Sequence, residues 1–252
     1  MSLARFFAPA AGVTGDRILL PVDEAEHLTR VLRLSSGDRV RVFNGRGAEF
    51  EAVVDAADRE GVRLTIGPPC VPAPEPRVAI TLAQAALKGD KMDDVVRDAV
   101  MMGVAAIHPI VTARSEISLA SLTRGRRRER WERIAVSSAK QCGRAVVPSI
   151  AEPLQFNASA ASSARTRGED FPFPVFILVE PSTSAGVALA NLEVSIPDRA
   201  TLVVGPEGGW TTEEVAAAAT LGTLVTLGQR TLRADAMALV ALSAIFARWG
   251  EF

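Results

Sequence analysis

Short runs of alternating apolar and polar residues, separated by turn signals, dominate the chain up to Pro69, which is the pattern of β-strands. The runs cover residues 18–20, 39–43, 50–54 and 62–66. Ser36-Gly37-Asp38 and Asn44-Gly45 supply turns between them. One helical period, at residues 23–32, interrupts the strands. The pattern predicts a small β-barrel with one short helix.

A proline-rich segment, residues 68–76, follows the last of these strands. Prolines at this density fix many φ angles and remove amide donors, so the segment forms neither a helix nor an interior strand. We therefore predict a domain boundary here, with one domain at residues 1–72 and a second at residues 73–252.

Beyond the boundary, strand-like runs alternate with helical ones, which predicts an α/β domain with a mostly parallel sheet. The predicted elements cover residues 78–83, 91–102, 105–111, 124–141, 173–179 and 185–192. The alanine- and serine-rich stretch 157–167 is interpreted as a weak surface helix or a loop without function. Ligands of such sheets bind at the carboxyl ends of the strands.

Two strand-to-helix joints, each broken by glycine, complete the domain. In the first, a strand at residues 202–204 ends in Gly205-Pro206-Glu207-Gly208-Gly209, and Thr211 and Glu214 then have the spacing of a helix capping box. In the second, a strand at residues 224–227 is followed by Gly228, residues 229–233 and an apolar helix at 235–249. We expect the two loops to lie side by side as walls of one pocket, although the first loop alone is as typical of a structural turn.

Composition and charge exclude several classes of protein. The 252 residues carry 28 Lys and Arg against 29 Asp and Glu, so any nucleic-acid site must be a local patch rather than a global field. Two cysteines and two histidines provide neither a disulfide framework nor a metal-ligand cluster, and no metal site is expected. No signal-peptide pattern develops before Pro9, and the apolar run 236–247 is too short to span a bilayer, so we expect a soluble, cytoplasmic protein without membrane contact.

The common nucleotide-binding fingerprints do not occur. The chain contains no Walker motif, and its early Gly45-Arg46-Gly47 sits in a hairpin rather than between a strand and a helix. If the glycine joints bind a nucleotide-like ligand, they do so by another arrangement.

The paired joints resemble the C-terminal motifs of the RsmE family, SPOUT-class methyltransferases of 16S ribosomal RNA. Further segments are similar to family signatures in the same order along nearly the whole chain. They are residues 5–7 (RFF), 27–33 (HLTRVLR), 37–38 (GD), 88–92 (KGDKM), 114–116 (RSE), 141–144 (QCGR) and Pro148.

This resemblance implies a fold, a cofactor and partners. It implies a PUA-like RNA-binding barrel at the N-terminus and a SPOUT-type, trefoil-knotted sheet at the C-terminus. It also implies S-adenosylmethionine bound within the knot, methylation of N3 of a uridine in 16S ribosomal RNA of the small ribosomal subunit, and a homodimer with active sites at the subunit interface. The apolar helix at 235–249 suits burial within the fold or in such a dimer.

The resemblance also implies site residues. Cofactor contacts, chiefly through the main chain, are expected from Val179, Glu180, Gly205, Pro206, Glu207, Gly208, Leu227, Gly228, Leu232 and Arg233. RNA contacts are expected from Arg5, His27, Arg30, Arg33, Lys88, Lys91, Arg114, Gln141 and Arg144. The basic run at residues 124–130 is interpreted either as a further RNA contact or as a solvated helix face.

Methyl transfer to a ring nitrogen needs positioning and stabilisation of the charge left on the uridine carbonyls. We assign this stabilisation to Arg233, assisted by Arg144; pairing of Arg233 with Asp235 or Glu207 is the structural alternative. Asp235, Glu207 or solvent hydroxide is left open as the base. Cys142 is not expected to act as a nucleophile, because attack at nitrogen requires no covalent enzyme adduct.

The sequence departs from the family pattern at several positions. Gln229 stands where proline is usual, Ala234-Asp235-Ala236 replaces a Thr-Glu-Thr-like run, and Asp98 and Met101 replace a lysine and a glutamate. These departures leave two alternatives: an RNA-binding ribosome-assembly factor with impaired catalysis, and a SPOUT enzyme acting on another RNA.

Overall fold

The computed structural model describes residues 3–156, 171–183, 185–193 and 195–251. The chain forms two compact units, Met1–Glu75 with Val136–Val147, and Pro76–Ala135 with Pro148–Phe252. The segment 136–147 therefore belongs with the N-terminal residues, although it lies far beyond the proline-rich stretch. The division at residue 72 stays a prediction about domains, and the stretch 157–167 lies outside the described residues.

The first unit is built on a mixed five-stranded sheet with the order β1-β3-β4-β5-β2. The strands are β1 Arg5–Phe7, β2 Arg17–Leu19, β3 Arg39–Phe43, β4 Glu49–Asp58 and β5 Gly61–Cys70. β1 pairs with β3 in parallel, and the other pairings are antiparallel. Register shifts between β4 and β5 mark bulges, which increase the twist of the sheet.

The predicted helix of this unit consists of two consecutive segments. Helix α1, Val22–Glu26, continues directly into a π-helical turn, His27–Val31. Leu28 from this turn is buried in an apolar core with Phe6, Val42 and Leu64. The alternation of apolar residues along the strands therefore places one face of the sheet against this core, as the pattern predicted.

The second unit contains a parallel sheet with the order β11-β13-β10-β12-β6-β7-β8, and β9 also pairs with β7. Its strands are β6 Ala79–Ala85, β7 Ala106–Val111, β8 Ser149–Ile150, β9 Leu154–Gln155, β10 Val175–Leu178, β11 Val187–Ala188, β12 Arg199–Val204 and β13 Thr223–Thr226. Every pairing among these described strands is parallel. The predicted mostly parallel sheet is confirmed.

The helices are α2 Lys91–Met102, α3 Leu119–Arg124, α4 Arg127–Cys142, α5 Thr212–Leu221 and α6 Ala234–Trp249, with a 3₁₀ turn at Leu189–Asn191. Helix α2 ends at Gly103, whose φ of 102° is the left-handed conformation that glycine adopts at helix ends. The helix predicted at residues 124–141 corresponds to α4; α3 was not predicted, and the chain is extended at Gly125 between the two helices. Helix α4 begins in the second unit and ends in the first.

The carboxyl edge of the sheet brings three strand ends to one level. Leu178, the last residue of β10, pairs with Val204 of β12 on one side and with Val225 of β13 on the other. The two glycine joints follow β12 and β13. These strands are separated by β10, so the joints lie on either side of it. The residues after Leu178 enter between them, and this edge holds the candidate site. None of the helices in the described part of the chain is both long and apolar enough to cross a membrane.

Candidate active site

A cleft of about 180 Å³ opens at this edge. Four segments line it: the start of α2, the end of β10, the end of β12 with the loop after it, and the loop and first turn of α6. The lining residues are Lys91, Leu178, Val179, Glu180, Pro181, Val204, Gly205, Pro206, Glu207, Gly209, Trp210, Thr231, Leu232, Arg233, Ala234 and Met237. The structure thus brings together seven of the ten residues predicted to bind the cofactor: Val179, Glu180, Gly205, Pro206, Glu207, Leu232 and Arg233.

The glycines of the first loop allow close approach of neighbouring side chains. Gly209 has a φ of 67°, and a Cβ placed on it would lie 2.5 Å from Oε1 of Glu180. A side chain at Gly205 would collide with the indole of Trp210, at 2.8 Å from Cε2. Both positions therefore require glycine, one for backbone conformation and contact, the other for contact alone.

Cations hold this loop from one side. Lys91, at the start of α2, places Nζ 2.9 Å from Oε1 of Glu207. Arg114 donates from Nη1 to the main-chain oxygen of Gly208 at 3.1 Å. Two residues predicted to contact RNA, Lys91 and Arg114, therefore lie on the glycine loop.

Arg233 and Asp235 form a bidentate pair at the entrance to α6. Nε of Arg233 is 3.1 Å from Oδ1 of Asp235, and Nη2 is 2.8 Å from Oδ2. The hydrogen bonds from Arg233 lower the pKa of the Asp235 carboxyl, and the same contact raises the pKa of Arg233. The Arg233 side chain is nevertheless 72% exposed, so its cationic end faces solvent at the cleft.

A second cleft, of about 500 Å³, is lined from the loop after β13 and from α6. It is lined by Ala188, Leu189, Ala190, Thr226, Leu227, Gly228, Arg230, Leu232, Val240, Ala244 and Arg248. Leu227 and Gly228, both predicted to bind the cofactor, line this cleft and not the first. Leu232 lines both clefts, and Gly208 lines neither.

The geometry gives Arg5, a predicted RNA contact, a structural role. Its guanidinium pairs with Glu49 at 3.0 and 2.9 Å. It also donates to main-chain oxygens at the end of α4 and just beyond it: those of Ala139, Lys140, Gly143 and Arg144. An arginine at this position satisfies carbonyls that a helix end leaves without partners. We therefore assign Arg5 to the cap of α4.

Arg144 is also engaged inside the first unit. Its side chain is 4% exposed and forms a bidentate pair with Glu75. It is absent from the residues that line the cleft. The geometry therefore gives Arg144 a structural role and does not support its predicted part in catalysis or RNA contact.

The other predicted RNA contacts differ in their surroundings. His27 lies 3.0 Å, by Nδ1, from Nζ of Lys140, which also contacts Glu24 at 2.6 Å. Arg30, Arg33, Gln141 and Lys88 are exposed; Arg30 pairs with Glu26, and Lys88 pairs with Glu116. Arg33 has a φ of 56°, a conformation that costs free energy in a residue with a Cβ and that often marks a functional segment.

The basic run at residues 124–130 is partly neutralised. Arg128 pairs with Glu132 and Glu152, and Arg130 pairs with Asp90 and Asp93. These contacts are those of a solvated helix face, which was one of the two interpretations.

Sequence reasoning missed Trp210, which lines the cleft directly after the last glycine of the loop. Its position, immediately before the capping residue Thr211, was a usable signal, because a large apolar residue there packs back onto the fold at the helix start.

Comparison with known proteins decides the family. The model of an RNA methyltransferase domain matches residues 74–246, and that of an RNA methyltransferase PUA domain matches residues 20–67. A ribosomal RNA small subunit methyltransferase E of Synechocystis is 31% identical, over 90% of this chain and 72% of that protein. The chain belongs to the RsmE family.

Other members of the RsmE family are similar over most of their length. The Bacillus subtilis protein is 28% identical over 94% of this chain and 90% of its own. A crystal structure of the Neisseria gonorrhoeae enzyme, bound to S-adenosyl methionine, superposes with a TM-score of 0.84 at 28% identity and covers 98% of both chains. The predicted methyltransferase class and N-terminal PUA domain are confirmed.

Proposed function

We propose that this protein transfers a methyl group from S-adenosylmethionine to N3 of a uridine in 16S ribosomal RNA of the small ribosomal subunit, and that it acts as a homodimer. The observation that carries the proposal is the cleft at the carboxyl edge of the sheet, which contains most of the predicted cofactor residues of a family whose Neisseria member binds S-adenosyl methionine. The uridine N3 specificity rests on the family resemblance of the two glycine joints.

The residues of the cleft fit this cofactor. S-adenosylmethionine supplies a methyl group on a positively charged sulfur and also carries an ammonium and a carboxylate. The cleft offers the carboxylates of Glu180 and Glu207 to positive charge, and Lys91 to negative charge. Its walls also include the main chain of Gly205 and Gly209, whose lack of a Cβ leaves room for Trp210 and Glu180.

Arg233 is the residue of the cleft best placed to stabilise negative charge on the uridine carbonyls. It is exposed, and an arginine guanidinium stays protonated at every pH at which the protein works. Its contact with Asp235 is the pairing that the sequence left as the structural alternative. Because that contact is on the surface, incoming RNA exchanges it at small cost, and Asp235 orients the guanidinium until then.

The uridine proton passes to solvent in this proposal. Both carboxylates considered as the base are engaged by cations: Asp235 by Arg233, and Glu207 by Lys91. The pKa of Asp235 is lowered, so this group holds a proton poorly. The cleft therefore acts through positioning, exclusion of water and charge stabilisation.

The homodimer is supported by the surface of α6. Leu239 and Val240 are 37% and 42% exposed on a helix whose opposite face is buried at Ala238 and Ile245. An exposed apolar strip on a helix that also lines the second cleft fits an interface with a second copy. The trefoil knot of the SPOUT class belongs to the same proposal.

Titration calorimetry with S-adenosylmethionine tests the cofactor, and mass mapping of ribosomal RNA tests the target. We expect saturable binding with one cofactor per chain. We also expect a strain lacking the gene to lose one N3-methyluridine from 16S RNA and to regain it from a plasmid copy. Absence of cofactor binding would favour the assembly factor, and retention of the modified base would favour another RNA target.

A further inference from the structure

We propose that Trp210 is a positioning residue of the cofactor cleft: its indole fixes the distance between the end of β10 and the loop after β12. This inference rests on the proposed function for the identity of the ligand, but not for the contacts themselves.

The indole touches both walls at once. Its Nε1 donates to the main-chain oxygen of Leu178 at 2.8 Å, and Leu178 is the last residue of β10. On the other wall, the same edge of the ring lies against the α-carbon of Gly205, where an added Cβ would be 2.8 Å from Cε2 and 2.9 Å from Nε1. Gly205 is the first residue after β12. One side chain therefore spans both walls.

The ring itself is held from behind. Its centroid is 5.2 Å from that of Phe156, with an angle of 54° between the planes, a favourable aromatic arrangement. Trp210 also packs on the apolar core formed by residues such as Ile177 and Val203, the second-to-last residues of the same two strands. Because the ring is packed against the core, the core determines where the ring lies in the cleft.

The helix that follows adds a second constraint. The Thr211 side chain caps α5, and the Glu214 side chain accepts a hydrogen bond from the Thr211 N–H in return. These two bonds fix the backbone at Thr211, the residue that follows Trp210. Glu214 also accepts a hydrogen bond from the main-chain N–H of Ala113 at 2.7 Å. The indole is therefore supported by a rigid segment, as pre-organised binding requires.

Two consequences distinguish positioning from a general effect on stability. First, loss of the N–H donor leaves the Leu178 carbonyl without its partner, so the wall moves and the cofactor binds more weakly. Second, Gly205 is glycine because the indole occupies the space of its Cβ, so truncation of the indole creates room for a methyl group there.

The first test compares Trp210→Phe with the wild-type protein. We expect the Kd for S-adenosylmethionine to rise by about tenfold. We also expect kcat at saturating cofactor to stay within about twofold, because the groups that act on the RNA are unchanged. Equal losses in kcat and affinity, or an unchanged Kd, would overturn the positioning role.

The second test uses no ligand. Gly205→Ala should lower the melting temperature of the wild-type protein by more than it lowers that of Trp210→Leu, a background that lacks the three ring atoms nearest to the new methyl group. Equal shifts in the two backgrounds would show that the indole does not restrict Gly205. This comparison stands even if the protein binds no S-adenosylmethionine, in which case the proposed function fails and the wall contact does not.

A fluorescence measurement adds a site-specific signal. Of the three tryptophans, Trp210 lines the cleft, and Trp131 and Trp249 are buried elsewhere. Saturation with S-adenosylmethionine should change the emission of the wild-type protein and leave that of Trp210→Phe unchanged. A change that persists in the variant would place the responding indole away from the cleft.

Discussion

At the scale of single residues, the arginines divide into those that hold the fold and those that remain available. The side chains of Arg5 and Arg144 are 12% and 4% exposed, and they cap a helix or pair with Glu75, whereas Arg233 is paired but open to solvent. Removal of a buried arginine leaves carbonyls or a carboxylate without a partner, but removal of Arg233 leaves the fold intact. Effects on activity and on stability should therefore separate at these positions.

Arg233→Ala should lower kcat by about 100-fold and change the Kd for S-adenosylmethionine by no more than about threefold. The reason is that its guanidinium meets charge that develops on the RNA rather than charge on the cofactor. Single-turnover methylation and calorimetry measure the two quantities.

Arg230→Ala is the matched control, since Arg230 is exposed in the same loop but lines the second cleft; it should leave kcat within about twofold. A loss of cofactor affinity as large as the loss of turnover would move Arg233 from catalysis to binding.

The Asp235 carboxylate gives stability a specific pH dependence. Its pKa is lowered in the folded protein by hydrogen bonds from Arg233, so the pair stabilises the fold fully above the ordinary aspartate value of about 3.9. That contribution is lost as pH falls through the lowered value. The difference in urea midpoint between wild type and Asp235→Asn should therefore shrink from pH 7 to pH 3.

The control for this titration is Asp198→Asn, which removes an exposed carboxylate without an ion pair among the described residues. Its difference from wild type should stay nearly constant over the same range. A constant difference for Asp235→Asn as well would show that the pair with Arg233 contributes nothing to stability.

At the scale of elements, the sequence predicted those helix ends that are determined by residues close to them in the chain. Helix α2 was predicted with its observed ends because an amphipathic period stops at Gly103, and α5 because its capping box is written in four residues. Helix α3 was missed, because its six residues are too few to show a helical period in the sequence.

Contacts between distant residues explain the rest. The partner of Arg5 is 44 positions away and that of Arg144 is 69, so a motif that contains arginine does not distinguish a helix cap from an RNA contact. Likewise, the order β13-β10-β12 follows from the whole sheet, and it places the two glycine joints on either side of β10. The sequence predicted seven residues of the cleft but neither Trp210 nor the separation of Leu227 and Gly228 into a second cleft.

The start of α5 provides a test at this scale. Thr211→Ala removes the side-chain cap and should cost about 1 kcal/mol of unfolding free energy. Glu214→Ala should cost more, about 2 kcal/mol, because the buried Glu214 carboxylate also accepts a hydrogen bond from the N–H of Ala113. Urea denaturation measures both. Thr212→Ala, an exposed threonine one position further on, is the control and should change stability by less than about 0.5 kcal/mol. Equal costs at Thr211 and Thr212 would contradict the capping role.

At the scale of the whole molecule, α6 links the cofactor cleft to the proposed interface. Ala234 and Met237 on its first turn line the first cleft, and Val240 and Ala244 line the second. A second copy seated on the exposed strip would therefore act on the same helix that enters the cleft. The proposed homodimer is therefore expected to affect activity.

Leu239→Glu should convert a dimer into a monomer of 26.7 kDa, measured by light scattering during size-exclusion chromatography. A charge on the strip must be buried without a partner when two copies associate, and this cost exceeds what a moderate interface supplies. The melting temperature should fall only through the loss of association, because Leu239 is exposed in the single chain.

Leu19→Glu, at an exposed apolar position of the first unit, is the matched control and should leave the mass at twice that of one chain. If the monomer forms and retains full methylation, each chain carries a complete active site; a monomer that binds the cofactor but does not methylate RNA would show that the second copy completes the site for RNA. An unchanged mass in Leu239→Glu would place the interface away from this face of α6.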